Sequence, residues 1–115
     1  PATARQLRKA AAELSVLRDA ASSWQQCHAE RLARAASILD ERDRQDSKWG
    51  PQAHSLPEWV TILMEEVGEL AAAVLCHKFG NDDHPELDWR KEAIQVAAVA
   101  LSMCEQYKEP KEASG

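Results

Sequence analysis

Apolar residues recur at three- and four-residue intervals along most of the chain, the spacing that places side chains on one face of an α-helix. Leu7, Ala10, Leu14, Leu17 and Ala21 mark such a face and predict a helix from about Thr3 to Ala21, with Thr3 and Gln6 at capping-box spacing. Ser22-Ser23 interrupts the run, and Ser23 with Gln26 repeats the capping spacing. A second helix is therefore predicted on to about Asp46, with Trp24, Cys27, Leu32, Ala35 and Leu39 as its apolar markers. The same pattern fits one long helix with a kink. Residues 47–56, with Gly50 and Pro51, are expected to form a loop. Ser55, Pro57 and Glu58 then supply a helix start: an N-cap, a first-turn proline and a capping-box glutamate. This third helix is predicted to run to about Phe79 and stop at Gly80-Asn81. The polar turn Asp82-Asp83-His84-Pro85 leads into a fourth that ends near Tyr107, and the tail from Lys108 to Gly115 is expected to fray. No segment reads as a strand. The expected fold class is all-α and four-helix-bundle-like.

Two stretches break this amphipathic order. Glu65, Glu66 and Glu69 fall in Ile62-Leu63-Met64-Glu65-Glu66-Val67-Gly68-Glu69-Leu70, whose apolar residues otherwise call for a buried helix. Carboxylates three and four residues apart on a helix repel by a few tenths of a kcal/mol per pair, and Gly68 costs about 1 kcal/mol more relative to alanine. A turn that breaks two local rules is a candidate functional site, and a hard cation is the simplest offset for its charge. An ordinary solvated face is the competing reading. The second stretch, Ala93 to Cys104, is apolar at all but Gln95 and Ser102, so it is expected in a core or at a subunit interface. Glu92 stands at its entrance with Gln95 three residues on, on the same face. Two helices then each offer a polar pair at i, i+3, an arrangement from which helical bundles build metal sites.

Length and charge narrow the class. At 115 residues the chain is read as one domain, large enough for a real core. A net charge of −5 argues against nonspecific nucleic-acid binding through the whole surface. Three cysteines without a CxxC suggest reduced thiols in a cytoplasm, and Cys76-His77 lacks the two further ligands that zinc needs. No segment reaches the roughly 18 apolar residues of a membrane span, and the first residues lack a signal-peptide core. The expectation is a cytoplasmic protein that binds neither membrane nor nucleic acid.

Glu65-Glu66-x-x-Glu69, followed after residues 70–91 by Glu92-x-x-Gln95, resembles the EExxE…ExxD signature of MazG-like nucleotide pyrophosphohydrolases, of the all-α NTP pyrophosphatase superfamily. The resemblance covers about residues 38–107. It takes in Glu41-Arg42-x-Arg44-Gln45-x-x-Lys48-Trp49-Gly50, then His54 and Trp59, and later Gln95-Val96-Ala97-Ala98-Val99-Ala100. It divides the chain into an N-terminal helical extension (1–37), a MazG-like catalytic core (38–107) and a flexible tail (108–115). It implies a homodimer or homotetramer that uses Mg²⁺, with Mn²⁺ as a substitute. The implied reaction is hydrolysis of a (deoxy)nucleoside triphosphate to monophosphate and pyrophosphate, a nucleotide-pool cleaning activity.

Carried over residue by residue, Glu66, Glu69 and Glu92 match the metal-ligand positions. Glu65 matches the first glutamate of the motif, which ligates metal or orients the attacking water. Gln95 departs from the signature, which has aspartate there; an amide oxygen still ligates a hard cation but without the negative charge. Lys48, Arg44 and Lys78 are the candidates for holding phosphate charge, and Trp49 and His54 for contacting the base. Arg42 is also placed where it can point at the site. Trp59 and Trp89 are read as packing residues, and His28, His77 and His84 as surface residues. The alternative reading is a non-catalytic helical interaction module, or a nucleotide- or metal-binding module, with a degenerate site marked by Gln95.

Overall fold

The computed structural model describes residues 1–80 and 88–111, and all of its regular structure there is α-helical. Three helices follow one another: α1 (Ala4–Trp49), α2 (Leu56–Phe79) and α3 (Trp89–Gln106). The chain divides into two compact units, Pro1–Ala35 and Ala36–Gly115.

The first two predicted helices are one. α1 runs without a break through Ser22-Ser23 for 46 residues. The capping pattern expected at Ser23 and Gln26 does not form, because the Gln26 amide instead donates forward to Glu30 Oε1 at 3.0 Å. A serine in a helix interior costs only a few tenths of a kcal/mol, too little to stop a run of good helix formers. The true start is at Thr3 and Gln6, whose side chains exchange hydrogen bonds with each other's backbone N–H at 3.2 and 2.9 Å. The predicted loop at residues 47–56 also shortens, since α1 reaches Trp49 and ends on Gly50. Gly50 has a φ of 67°, a left-handed conformation natural to glycine, and its N–H caps Asp46 O at 2.8 Å.

α2 begins where the sequence places it. Ser55 and Glu58 form a reciprocal capping box, and Gly80 closes the helix in the left-handed conformation. α3 starts one residue after Asp88, whose carboxylate accepts the Arg90 N–H at 3.0 Å. The turn predicted at Asp82 to Pro85, with His84, lies outside the described residues.

The second unit is built on α2 packed against α3. Its buried apolar residues are Trp59 and Ala73 of α2 with Ala98 and Val99 of α3, and Ser102 is buried beside them. The apolar run from Ala93 to Cys104 is half-buried around these positions, with Cys104 exposed. The end of α1 is held by Arg42, which is 4% exposed. Its guanidinium donates to Glu105 of α3 at 2.9 Å, to Gln45 at 3.2 Å and to Asp46 at 2.9 Å. Each guanidinium nitrogen of Arg42 thus makes one bond, one to α3 and two within α1, which makes the residue a structural clamp. Trp89 is half-buried under the Arg90 guanidinium, and His28 and His77 are exposed.

Candidate functional site

Two adjoining features of the second unit bring chemistry together. The first is an acidic cluster in which Glu66 and Glu69 of α2 meet Glu92 of α3. One carboxylate oxygen from each lies within 4.8 Å of the others. Glu66 and Glu69 share a face because they are three apart on one helix, and the packing of α2 on α3 adds Glu92. Glu66 Oε2 and Glu92 Oε2 are buried and accept no hydrogen bond from the protein. Burial raises the pKa of both carboxyls, and the like charge of Glu69 raises each further. A donor set of hard carboxylate oxygens, crowded and short of hydrogen bonds, fits an oxygen-seeking divalent cation such as Mg²⁺.

The second feature is an open cavity of about 620 Å³ beside this cluster, with Glu66 common to both. Its wall is assembled from same-face positions on all three helices. Glu41 and Gln45 come from α1, Trp59, Ile62 and Glu66 from α2, and Gln95, Val99 and Ser102 from α3. Glu65, Arg44 and Trp49 line it too, as do Gln52 and His54 from the connection between α1 and α2. Acidic groups, a guanidinium, aromatic rings and amides therefore share one recess of small-molecule size.

Of the residues the sequence singles out, Glu65, Gln95, Arg44, Trp49 and His54 line the cavity, and Glu66, Glu69 and Glu92 form the cluster. Gln95 is half-buried on the cavity wall. Lys48 is exposed one residue before Trp49, with its ammonium 4.8 Å from that ring's centroid. Lys78 is exposed in the last turn of α2, where its ammonium sits 5.8 Å from the Phe79 ring centroid. Neither lysine lines the cavity.

Several wall residues carry more than the sequence suggests. Glu41 receives two hydrogen bonds from Arg44, at 2.8 and 2.6 Å, and these hold its carboxyl below the usual range. Glu41 and Arg44 are three apart on α1, so the spacing announces the pair, but only the fold shows that it faces Glu66. Trp59 is 1% exposed and packs edge-on to His54, with ring centroids 4.8 Å apart. It is a packing residue, and it also forms the floor on which His54 rests. Gln52 had no signal beyond being polar, Gln45 stood only within the resembling stretch, and Ser102 only as a polar break in an apolar run.

No family model, no curated protein and no solved structure matches this chain. The functional reading therefore rests on the residues and their geometry.

Proposed function

We propose that this protein is a Mg²⁺-dependent, MazG-like nucleoside triphosphate pyrophosphohydrolase that converts a (deoxy)nucleoside triphosphate to monophosphate and pyrophosphate. The observation that carries the reading is the convergence of Glu66, Glu69 and Glu92 with two buried carboxylate oxygens lacking partners, at the edge of a cavity of small-molecule size. The EExxE…ExxQ spacing that resembles the family signature supports it independently.

Glu66, Glu69 and Glu92 would hold the cation, with Gln95 as a neutral oxygen donor nearby. Bound Mg²⁺ supplies charge neutralisation for the phosphates and lowers the cost of deprotonating water. The protein's own groups do the rest. Glu65 orients the attacking water and takes its proton on a carboxylate oxygen. The water oxygen bonds to the α-phosphorus in line with the breaking bond to the β-phosphate oxygen, and pyrophosphate leaves with that electron pair. Arg44, already fixed by Glu41, faces the phosphate charge, while Lys48 and Lys78 are exposed cations able to add to the surrounding positive field. Trp49 offers a ring for stacking on the base, and His54 a polar edge.

The reading includes assembly into a homodimer or homotetramer. α2 leaves Val60, Met64, Val74, Leu75 and Phe79 between 42% and 72% exposed, a large apolar share for one helix. Sedimentation analysis is expected to give two or four copies.

Pyrophosphate release from a panel of nucleoside triphosphates, in Mg²⁺, Mn²⁺ and EDTA, tests the reaction. Metal-dependent release with monophosphate as co-product is expected. Silence across the panel from folded protein, or release of orthophosphate instead, would overturn the proposal.

A further inference from the structure

The connection between α1 and α2 is short and carries His54 into the cavity wall, yet it has no regular structure of its own. Something must fix it. Its inner tie is Gln106, in the last turn of α3, a residue that does not line the cavity. The Gln106 carbonyl Oε1 accepts the backbone N–H of Gln52 at 2.7 Å. The amide nitrogen of Gln106 donates to the Ser102 hydroxyl at 2.6 Å, and Ser102 is only 2% exposed. Both ends of the Gln106 amide are therefore committed, one to the connection and one to the core of α3.

The chain of bonds continues to the histidine. Gln52 Oε1 lies 3.0 Å from His54 Nε2. A carbonyl oxygen only accepts, so the proton on the neutral ring sits on Nε2. The ring also makes an edge contact with Trp59. The remaining ring nitrogen, Nδ1, is 4.0 Å from Glu58 Oε2, beyond hydrogen-bond length.

We infer that Gln106 is a positioning residue: by tying Gln52 to Ser102 it fixes the ring orientation and the Nε2–H tautomer with which His54 meets the substrate. This rests on the reading of the cavity as a nucleotide site. It goes further in assigning the base-side geometry to a residue some 50 positions away that does not line the cavity.

The experiment uses the whole chain and two substitutions. Gln106→Leu removes both hydrogen bonds, whereas Gln106→Glu keeps an acceptor for the Gln52 N–H and can accept from the Ser102 hydroxyl. Long-range ¹⁵N–¹H spectra of the imidazoles read the His54 tautomer without any substrate. Wild type and Gln106→Glu are expected to show Nε2–H, and Gln106→Leu a mixture. With the best substrate of the panel, Gln106→Leu should raise KM about tenfold and leave kcat within about twofold, the signature of lost positioning in binding. Gln106→Glu should restore KM. An unchanged tautomer in folded Gln106→Leu, a KM that stays put when the tautomer changes, or a Gln106→Glu protein as impaired as Gln106→Leu would each overturn the inference. If Gln106→Leu does not fold, Gln52→Met removes only the acceptor on His54, and a wild-type tautomer in that variant overturns it equally. Should no triphosphate be hydrolysed, the imidazole spectra still decide whether Gln106 sets His54, so the two readings fail separately.

Discussion

The two parts of α1 belong to one helix and obey different rules. Through Ala35 every residue is exposed, including Leu14, Leu17 and Trp24 at 61% to 66%. From Ala36 onward the helix buries Arg42 and Gln45, two polar residues, and sends Glu41 and Arg44 to the cavity wall. The apolar stripe of the first part is the stronger sequence signal, yet the second part does the structural work. A helical period specifies a face. Burial needs a surface opposite that face, and in the second unit polar side chains with enough hydrogen bonds serve as well as apolar ones.

Substitutions sharpen or break that contrast. Trp59→Ala, in the core of the second unit, should cost about 3–5 kcal/mol of unfolding free energy, whereas Leu17→Ala should change it by about 0.5 kcal/mol or less. Denaturant titration of both variants measures the difference. A loss at Leu17 comparable to that at Trp59 would mean that the first part of α1 is covered in solution, and the contrast would fail.

Glu69→Gln acts on the site with little effect on the core. It should lower metal-dependent pyrophosphate release by about 100-fold or more, about 2.7 kcal/mol in the barrier. The same change removes a charge that faces Glu66 and Glu92, so the melting temperature of the metal-free protein should rise. Full activity in the variant would remove Glu69 from the cation site.

pH supplies a milder probe of the same cluster. The folded-state pKa of Glu66 and of Glu92 lies above that of an ordinary carboxyl, so the folded protein binds protons more tightly than the unfolded chain. The stability tied to these groups is therefore full below the unfolded-chain pKa and is lost as pH rises through the raised values. In EDTA, acidification from neutrality into that window should raise this part of the stability. With saturating Mg²⁺ the trend should flatten or reverse, because protons then compete with the cation. Melting curves across pH, with and without the ion, measure it; parallel curves would count against cation binding by these carboxylates.

Gly68→Ala is the smallest change. A methyl group there meets no heavy atom within 4 Å, so the variant should gain about 0.5–1 kcal/mol from helix propensity. A loss would reveal a close neighbour at Gly68 in the assembled protein.

What was legible in the chain was local. The capping boxes at Thr3 and Ser55, the stop at Gly80 and the shared face of Glu66 and Glu69 depend on residues three or four positions apart, a distance that helix geometry fixes by itself. The serine pair at 22–23 left two helices or one long helix open because a capping pattern is permissive: Gln26 had a second partner within reach in Glu30.

The tertiary structure decided everything that needed two helices. It brought Glu92 to within 4.8 Å of the α2 pair, turned Arg42 into a clamp on Glu105, and laid Gln106 against the backbone of Gln52. These contacts join residues tens of positions apart, and no periodicity encodes them. The physical reason is the difference between the two kinds of order. A helix states which of its residues share a face, and only the packing of that face against another determines which charges lose their water and which find a partner.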